Sequence, residues 1–409
     1  MPTSAIDLFS GAGGFSLGLQ MAGIEVTHAV EIDKWAAETY AYNFPRVDLK
    51  VQDITELDAP QIRAWIPSAP DLIVGGPPCQ GFSHSNTATR DPRDPRNSLF
   101  ADFIRFAKVL TPKICILENV KGLLATANEF GERVIDIIRL AFEEIGYTCE
   151  YRVLNAADFG VPQQRERLFV VATRADLNVC FSWPDIRYYP PDRVESASSL
   201  FAEHSDSKVH RTLWEAISDL PPVLSGRSVE MRYCTQPQNE FQSLMREGRQ
   251  SEIRNHEPMR HTQRIVARFS RIAYGQSEAD VPELTLCPRR RGDPSRTSNS
   301  KYFQNSRRQR PDQPCNTIVA SSHTNFVHPF LDRNFTVREI LRAQSFPDWF
   351  VVKGKRAVLS RKLSERKGLT EDVFLDQRMQ IGNAVPPLLG QEFGRAVLDA
   401  VNVEIDACA

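Results

Sequence analysis

From its first residues the chain alternates strand-like and helix-like stretches, and that alternation limits its fold more than any other feature. Residues 4–9 form a short apolar run ending in Ser10-Gly11-Ala12-Gly13-Gly14, and residues 15–22 follow with helical spacing. Residues 26–30 read as a second strand, closed by Glu31 and Asp33. Residues 71–74 and 114–117 read as further strands, the latter ended by Glu118-Asn119. Residues 133–145 carry apolar side chains at helical intervals, and 167–172 read as a late strand. Such alternation predicts a mostly parallel sheet covered on both faces.

At 409 residues the chain is long for a single domain and predicts two. The pattern changes after Thr173. Residues 176–312 are rich in Pro, Ser, Arg and Asn and only weakly periodic, with arginine concentrated between Arg246 and Arg310. Order returns at 317–320, at a predicted helix over 337–344, and at 381–401, where a Gly-Asn-Ala-Val-Pro-Pro turn precedes an amphipathic helix. The Lys/Arg-rich stretch 353–367 reads as an insertion or a hinge cover. A net charge of −1 excludes a uniformly basic nucleic-acid coat but leaves room for a local patch. The eight cysteines show no Cys-x-x-Cys pair and no Cys/His cluster at zinc spacing, so reduced thiols and no metal are expected. No apolar run is long enough to cross a membrane, and a cytoplasmic location is expected.

Cys79 lies in Gly75-Gly76-Pro77-Pro78-Cys79-Gln80-Gly81-Phe82-Ser83, just past an apolar strand. In open α/β sheets ligands bind outside the carboxyl ends of the strands, so a thiol held there by two prolines is suited to react. The loop from Ser10 to Gly14 lets a backbone approach a ligand closely, and Glu31 stands where an acid grips ribose hydroxyls in nucleotide-binding sheets. A tight turn with an ordinary surface acid is the other reading. No Lys-Ser/Thr pair follows the glycines, so the loop suits an adenosine ligand without phosphates. Asp53 follows the end of a third strand and suits either an adenine amino group or a helix N-cap. Glu118 ends the strand after the cysteine loop. There it reads as an acid of raised pKa or as a capping glutamate. Extended-chain alternation points Arg165 and Arg167 to one side, where two guanidinium forks suit a carbonyl oxygen, a phosphate or a plain salt bridge.

Taken together these residues resemble the cytosine-C5 DNA methyltransferase family. The resemblance rests on Asp7-Leu8-Phe9-Ser10-Gly11-Ala12-Gly13-Gly14, the run from Gly75 to Ser83, Glu118-Asn119-Val120 and Gln163-Gln164-Arg165-Glu166-Arg167. It continues through Pro314-Cys315-Asn316-Thr317-Ile318 and Gly382-Asn383-Ala384-Val385-Pro386-Pro387, in the family's order and over nearly the whole chain. The resemblance implies an α/β fold. A Rossmann-like S-adenosylmethionine-dependent methyltransferase sheet would stand beside a second, smaller, irregular target-recognition domain. It places the catalytic domain at 1–178 plus 377–409, target recognition at 179–330, and a connecting segment with the insertion at 331–376. It implies Cys79 as nucleophile at carbon 6 of a flipped-out cytosine, Glu118 as the acid at ring nitrogen 3, and Arg165 and Arg167 on the ring's exocyclic oxygen. S-adenosyl-L-methionine would be the methyl donor. Phe9 would pack on its adenine, Gly11 and Gly13 would give access, Glu31 would hold the ribose and Asp53 the adenine amino group. Pro78, Leu99, Asn383 and Val385 would line the pocket. The polar stretch 80–98 is expected to close over the flipped base.

The implied partner is double-stranded DNA, read by arginines of the irregular region. The implied setting is a prokaryotic modification enzyme, monomeric, paired with a restriction endonuclease of the same specificity. Two other readings stay open: a transfer-RNA cytosine-5 methyltransferase and a catalytically inactive DNA-binding relative.

Overall fold

The computed structural model describes residues 2–78, 99–128, 130–177, 180–193, 207–226, 231–248, 252–283, 285–290, 293–297, 303–320, 326–357, 368 and 374–407. The chain forms two compact units. The first holds Met1–Phe159, Arg165–Arg187 and Ala384–Ala409; the second holds Gly160–Gln164 and Tyr188–Asn383.

The first unit is built on seven strands: β1 (Ser4–Leu8), β2 (Glu25–Glu31), β3 (Asp48–Val51), β4 (Leu72–Gly75), β5 (Ile114–Val120), β6 (Tyr147–Asn155) and β7 (Glu166–Arg174). Their order across the sheet is β3-β2-β1-β4-β5-β7-β6. The first five run parallel, and β7 runs antiparallel to both β5 and β6. Five helices make the connections: α1 (Gly14–Ala22), α2 (Lys34–Asn43), α3 (Ala59–Trp65), α4 (Leu99–Leu110) and α5 (Val134–Glu144). β1 leads outward to β2 on one side, while β4 and β5 lie on the other. The gap between β1 and β4 is therefore the switch point of the topology, where open α/β sheets bind ligands.

The central strands are apolar because both faces are covered. On one face Ile6, Leu8, Ile73, Leu117 and Leu168 join Phe103, Phe106, Ile138 and Phe142 of α4 and α5 in a buried cluster. Residues that alternate with these face α1 and the C-terminal helix Pro387–Ala407. There Phe393 packs on Phe15, Phe169 and Trp183. The C-terminal helix approaches α1 through small residues. A Cβ on Gly18 would lie 2.5 Å from the Pro387 carbonyl oxygen, and one on Gly394 would lie 2.6 Å from Ala22 Cβ.

The second unit has short helices and no extended sheet among its described residues. Buried ion pairs organise it. Arg333 grips Glu339 with two hydrogen bonds of 2.8 and 2.7 Å, and Arg342 bridges Asp219 and Asp348. Helix Val337–Ala343 matches the predicted one, with Thr336 and Glu339 forming its capping box. Pro314-Cys315-Asn316-Thr317-Ile318 is irregular but held: Gln164 N–H donates to Cys315 O, and Ile318 N–H donates to Gln163 Oε1. The turn read at 382–387 begins later than the sequence suggests, because Gly382 and Asn383 close the helix Gln377–Asn383. Asn383 thus ends the second unit, whereas Val385 belongs to the first. No described helix is long and apolar enough to cross a membrane. No group of three or more metal-ligating side chains is gathered among the described residues.

Candidate active site at the β1–β4 switch point

Strand register assembles the site. Val30 pairs with Leu8, Leu8 with Gly75, and Gly75 with Leu117. One residue further along each parallel strand stand Glu31, Phe9, Gly76 and Glu118. These four form a row across the carboxyl edge of the sheet, with neighbouring strands about 4.8 Å apart. Glycine at 75 is required by packing, since a Cβ there would lie 2.4 Å from the Leu8 carbonyl oxygen.

On the β1 side the chain turns sharply. Phe9 has φ 58°, Gly11 56° and Gly13 90°, all in the left-handed region. A side chain at Gly13 would also strike Phe44, at 2.3 Å, and Tyr40, at 2.9 Å. Glu31 braces the loop, accepting the Gly11 N–H at Oε2 and the Asp33 N–H at Oε1, each at 2.7 Å. Burial pushes its pKa up. Because the Gly11 N–H already meets a carboxylate, the loop is poorly disposed to a phosphate. Two observations fit a nucleoside-type ligand. A Cβ on Gly11 would meet no described atom within 4 Å, and the buried Ser10 Oγ has no hydrogen-bond partner among the described residues. Asp53 caps the short 3-10 turn Ile54–Glu56, accepting from Thr55 N–H (2.9 Å) and Thr55 Oγ1 (2.8 Å), both at Oδ1. The helix-cap reading of Asp53 is therefore present in the fold.

On the β4–β5 side, Glu118 is buried at the strand end, 9 % exposed. Burial pushes its pKa up, while Arg167 and then Arg165 pull it back down; the net direction is upward. Arg167 Nε lies 3.1 Å from Glu118 Oε1. The register explains the pairing, since Glu118 is opposite Phe169 and Arg167 is the diagonal neighbour on the same face. Arg165 is buried and donates to the Ala384 carbonyl oxygen at 3.1 Å. Both arginines thus converge on Glu118. A Cβ on Gly76 would lie 3.2 Å from Glu118 Oε2, so the second glycine leaves room for the carboxyl. Asn119 donates to the Pro77 carbonyl oxygen at 3.1 Å, tying the end of β5 to the proline turn. The sequence reading gave Asn119 and Gly76 no role. Their signal was adjacency, one to Glu118 and the other to Pro77.

Pro78 is half-buried; Cys79 and the whole of the stretch 80–98 expected to close over a base lie outside the described residues. Leu99 opens α4 and packs against the buried cluster with Phe9. Val385 is buried, while Asn383 is exposed. The buried Cys115 and Cys315 are unlike a reactive thiol, since burial pushes both pKa values up. Some arginines of the irregular region are structural. Arg308 donates to the carbonyls of Ile272, Phe269 and His328 and pairs with Asp332, and Arg268 pairs with Glu278. Arg246 pairs with Asp219 and stacks 3.6 Å from the centre of Tyr233.

Known proteins show the same arrangement of sequence and fold. The profile of the family described as C-5 cytosine-specific DNA methylase matches residues 3–399. The chain is 43% identical to the type II methyltransferase M.DdeI of Desulfomicrobium norvegicum over 96% of its own length and 88% of that protein's. It is 33% identical to the type II methyltransferase M1.HphI of Haemophilus parahaemolyticus, over 97% and 87% respectively. In fold it resembles the crystal structure of a prophage-encoded protein from E. coli described as a DNA modification methyltransferase. That match has a TM-score of 0.70 and 24% identity, and it covers 98% of this chain and 99% of that one.

Proposed function

The chain belongs to the C-5 cytosine-specific DNA methylase family and is a DNA cytosine-C5 methyltransferase, and on that premise we propose which of its residues carry the reaction. The observation that carries the assignment is the row Phe9, Gly76, Glu118 at the switch point, with β4 running straight into Pro77-Pro78-Cys79.

Cys79 supplies a thiolate, and its Sγ bonds to carbon 6 of cytosine. The electron pair moves through the ring as nitrogen 3 takes the proton of Glu118, leaving an enamine nucleophilic at carbon 5. Glu118 suits that step because burial keeps its carboxyl protonated above the usual carboxylate range. Arg165 and Arg167 hold the exocyclic oxygen and, once the proton has moved, stabilise the Glu118 carboxylate. S-adenosyl-L-methionine, when bound, supplies the electrophilic methyl group that carbon 5 takes. A water then removes the carbon-5 proton, the Sγ–carbon 6 bond breaks, nitrogen 3 returns its proton to Glu118, and Cys79 leaves as thiolate.

The donor would sit over the β1 loop. Phe9 packs against the adenine, Gly11 and Gly13 leave room for it, and Glu31 accepts from the ribose hydroxyls. Asp53 meets the adenine amino group, and Pro78, Leu99 and Val385 line the remainder. The substrate is double-stranded DNA, with the cytosine flipped out of the stack at a cost of a few kcal/mol. The second unit carries target recognition. The likeness to type II methyltransferases supports a modification role beside a restriction endonuclease.

The test is methyl transfer from labelled S-adenosylmethionine to duplex DNA or to transfer RNA. Label in DNA is expected; label in RNA alone would overturn the substrate assignment, and no label in either would favour a binding protein.

A further inference from the structure

α1 starts at a residue that cannot cap it. Its N-cap is Gly13, which has no side chain to offer, and Tyr40 and Phe44 leave no space for one. A hold on the first turn comes instead from the neighbouring strand. Asp7, buried in β1, accepts the Ser16 hydroxyl at Oδ2 at 2.6 Å. Ser16 is in the first turn of α1, and its Oγ is 2.7 Å from the Tyr40 hydroxyl on α2.

We propose that Asp7 is the positioning residue of the cofactor loop, tying the first turn of α1 to β1 through the Ser16 hydroxyl and so fixing the turn from Ser10 to Gly14. The inference rests on the reading of that loop as the S-adenosylmethionine site. Asp7 itself is turned toward α1 and touches no ligand-facing group of the loop. Its ends are nevertheless fixed by what it holds: β1 leads into the turn, and the first turn of α1 leads out of it. An ionised carboxylate is a stronger acceptor for the Ser16 hydroxyl than a neutral acid, which carries a hydrogen on one oxygen. Burial pushes the Asp7 pKa up to about 7, opposed by the Ser16 bonds and assisted by Glu31. The groups facing it are Glu31 from β2, Tyr40 from α2 and the Ser16 hydroxyl from α1; β4 is apolar (Leu72–Gly75) and brings no charge. The loop is therefore best ordered when Asp7 is ionised.

The experiment is calorimetric titration of the full chain with S-adenosylhomocysteine on both sides of pH 7. The wild type, Asp7→Asn and Tyr40→Phe are compared, and amide exchange is followed over the loop in the unliganded protein. Wild-type affinity is expected to rise several-fold as pH climbs through neutrality. Asp7→Asn should bind several-fold more weakly, lose that pH dependence and exchange faster at Gly11 to Ser16, with exchange in β5 and β7 unchanged. An Asp7→Asn variant that keeps the wild-type affinity, or keeps its pH profile, overturns the proposal; the latter result gives the titration to Glu31. Absence of binding by the wild type at every pH would instead refute the cofactor-site reading on which the proposal rests.

Discussion

At the scale of single residues, Glu118 shows how opposing influences leave a carboxyl of raised pKa. Burial raises its pKa, and Arg167 and Arg165 lower it without cancelling that rise. The same arginines are themselves disfavoured by burial, so the trio is stable only with its charges balanced. Glu118→Gln keeps the shape of the side chain and removes the transferable proton. The covalent step is expected to slow by roughly 10²–10⁴-fold, the usual worth of a positioned acid. S-adenosylhomocysteine affinity, measured by calorimetry, should be unchanged. A collapse of that affinity would make Glu118 structural.

At the scale of elements, close approach of backbones decides what the chain tolerates. α1 and the C-terminal helix cross at Gly18 and Gly390, where a Cβ on Gly18 would meet Pro387 O at 2.5 Å and Gly390 Cα at 2.6 Å. Gly18→Ala is expected to destabilise the first unit by about 1–3 kcal/mol through overpacking, read from the denaturant midpoint. The elements also show what could be read in advance. β1, β2, β4, β5 and β7 were legible because strands covered on both faces become apolar runs. β6 (Tyr147–Asn155) was not, because it is the sheet edge and its Thr, Glu, Tyr and Arg side chains give no such run. Glu118 and the arginine pair were legible as charged groups at strand ends, and the fold brings them together. The Asn119–Pro77 tie and the Asp7–Ser16–Tyr40 chain were not, because each depends on register between strands or on helix packing that spacing alone does not encode. In the irregular region, arginine content suggested solvent or DNA. Arg308 and Arg268 instead answer buried carbonyls and carboxylates, a role composition cannot distinguish.

At the scale of the whole molecule, the two units carry buried ionisable groups of opposite tendency. In the first, burial raises Asp7 to about 7 and raises Glu31 and Glu118. A folded chain that holds a proton the unfolded chain releases loses stability as pH rises. The Asp7 contribution is thus complete below about pH 4 and gone above about pH 7, on the order of a few kcal/mol. In the second unit burial lowers His328 and His261, each to about 4, and lowers His256. Those groups contribute stability above about pH 6.5 that is lost as pH falls. Burial acts to raise Glu339, yet Arg333 holds it well below the usual range, so its contribution is lost in stronger acid. Acidification from pH 7 toward pH 5 is therefore expected to raise the global stability of the first unit, the local order of the Ser10–Gly14 loop excepted, and to weaken the second. Hydrogen-exchange protection, corrected for intrinsic rates, reads the two separately; parallel changes in both would contradict the assignment.

The central claim is that Cys79 attacks carbon 6 of a cytosine in duplex DNA. The most direct measurement uses a duplex whose target cytosine bears fluorine at carbon 5, incubated with the protein and S-adenosylmethionine. Fluorine cannot leave as a proton does, so the Sγ–carbon 6 bond cannot be broken by the normal route. A denaturation-stable protein–DNA adduct mapping to Cys79 is predicted for the wild type and none for Cys79→Ser. Methylation without an adduct, or an adduct that survives Cys79→Ser, would contradict the account.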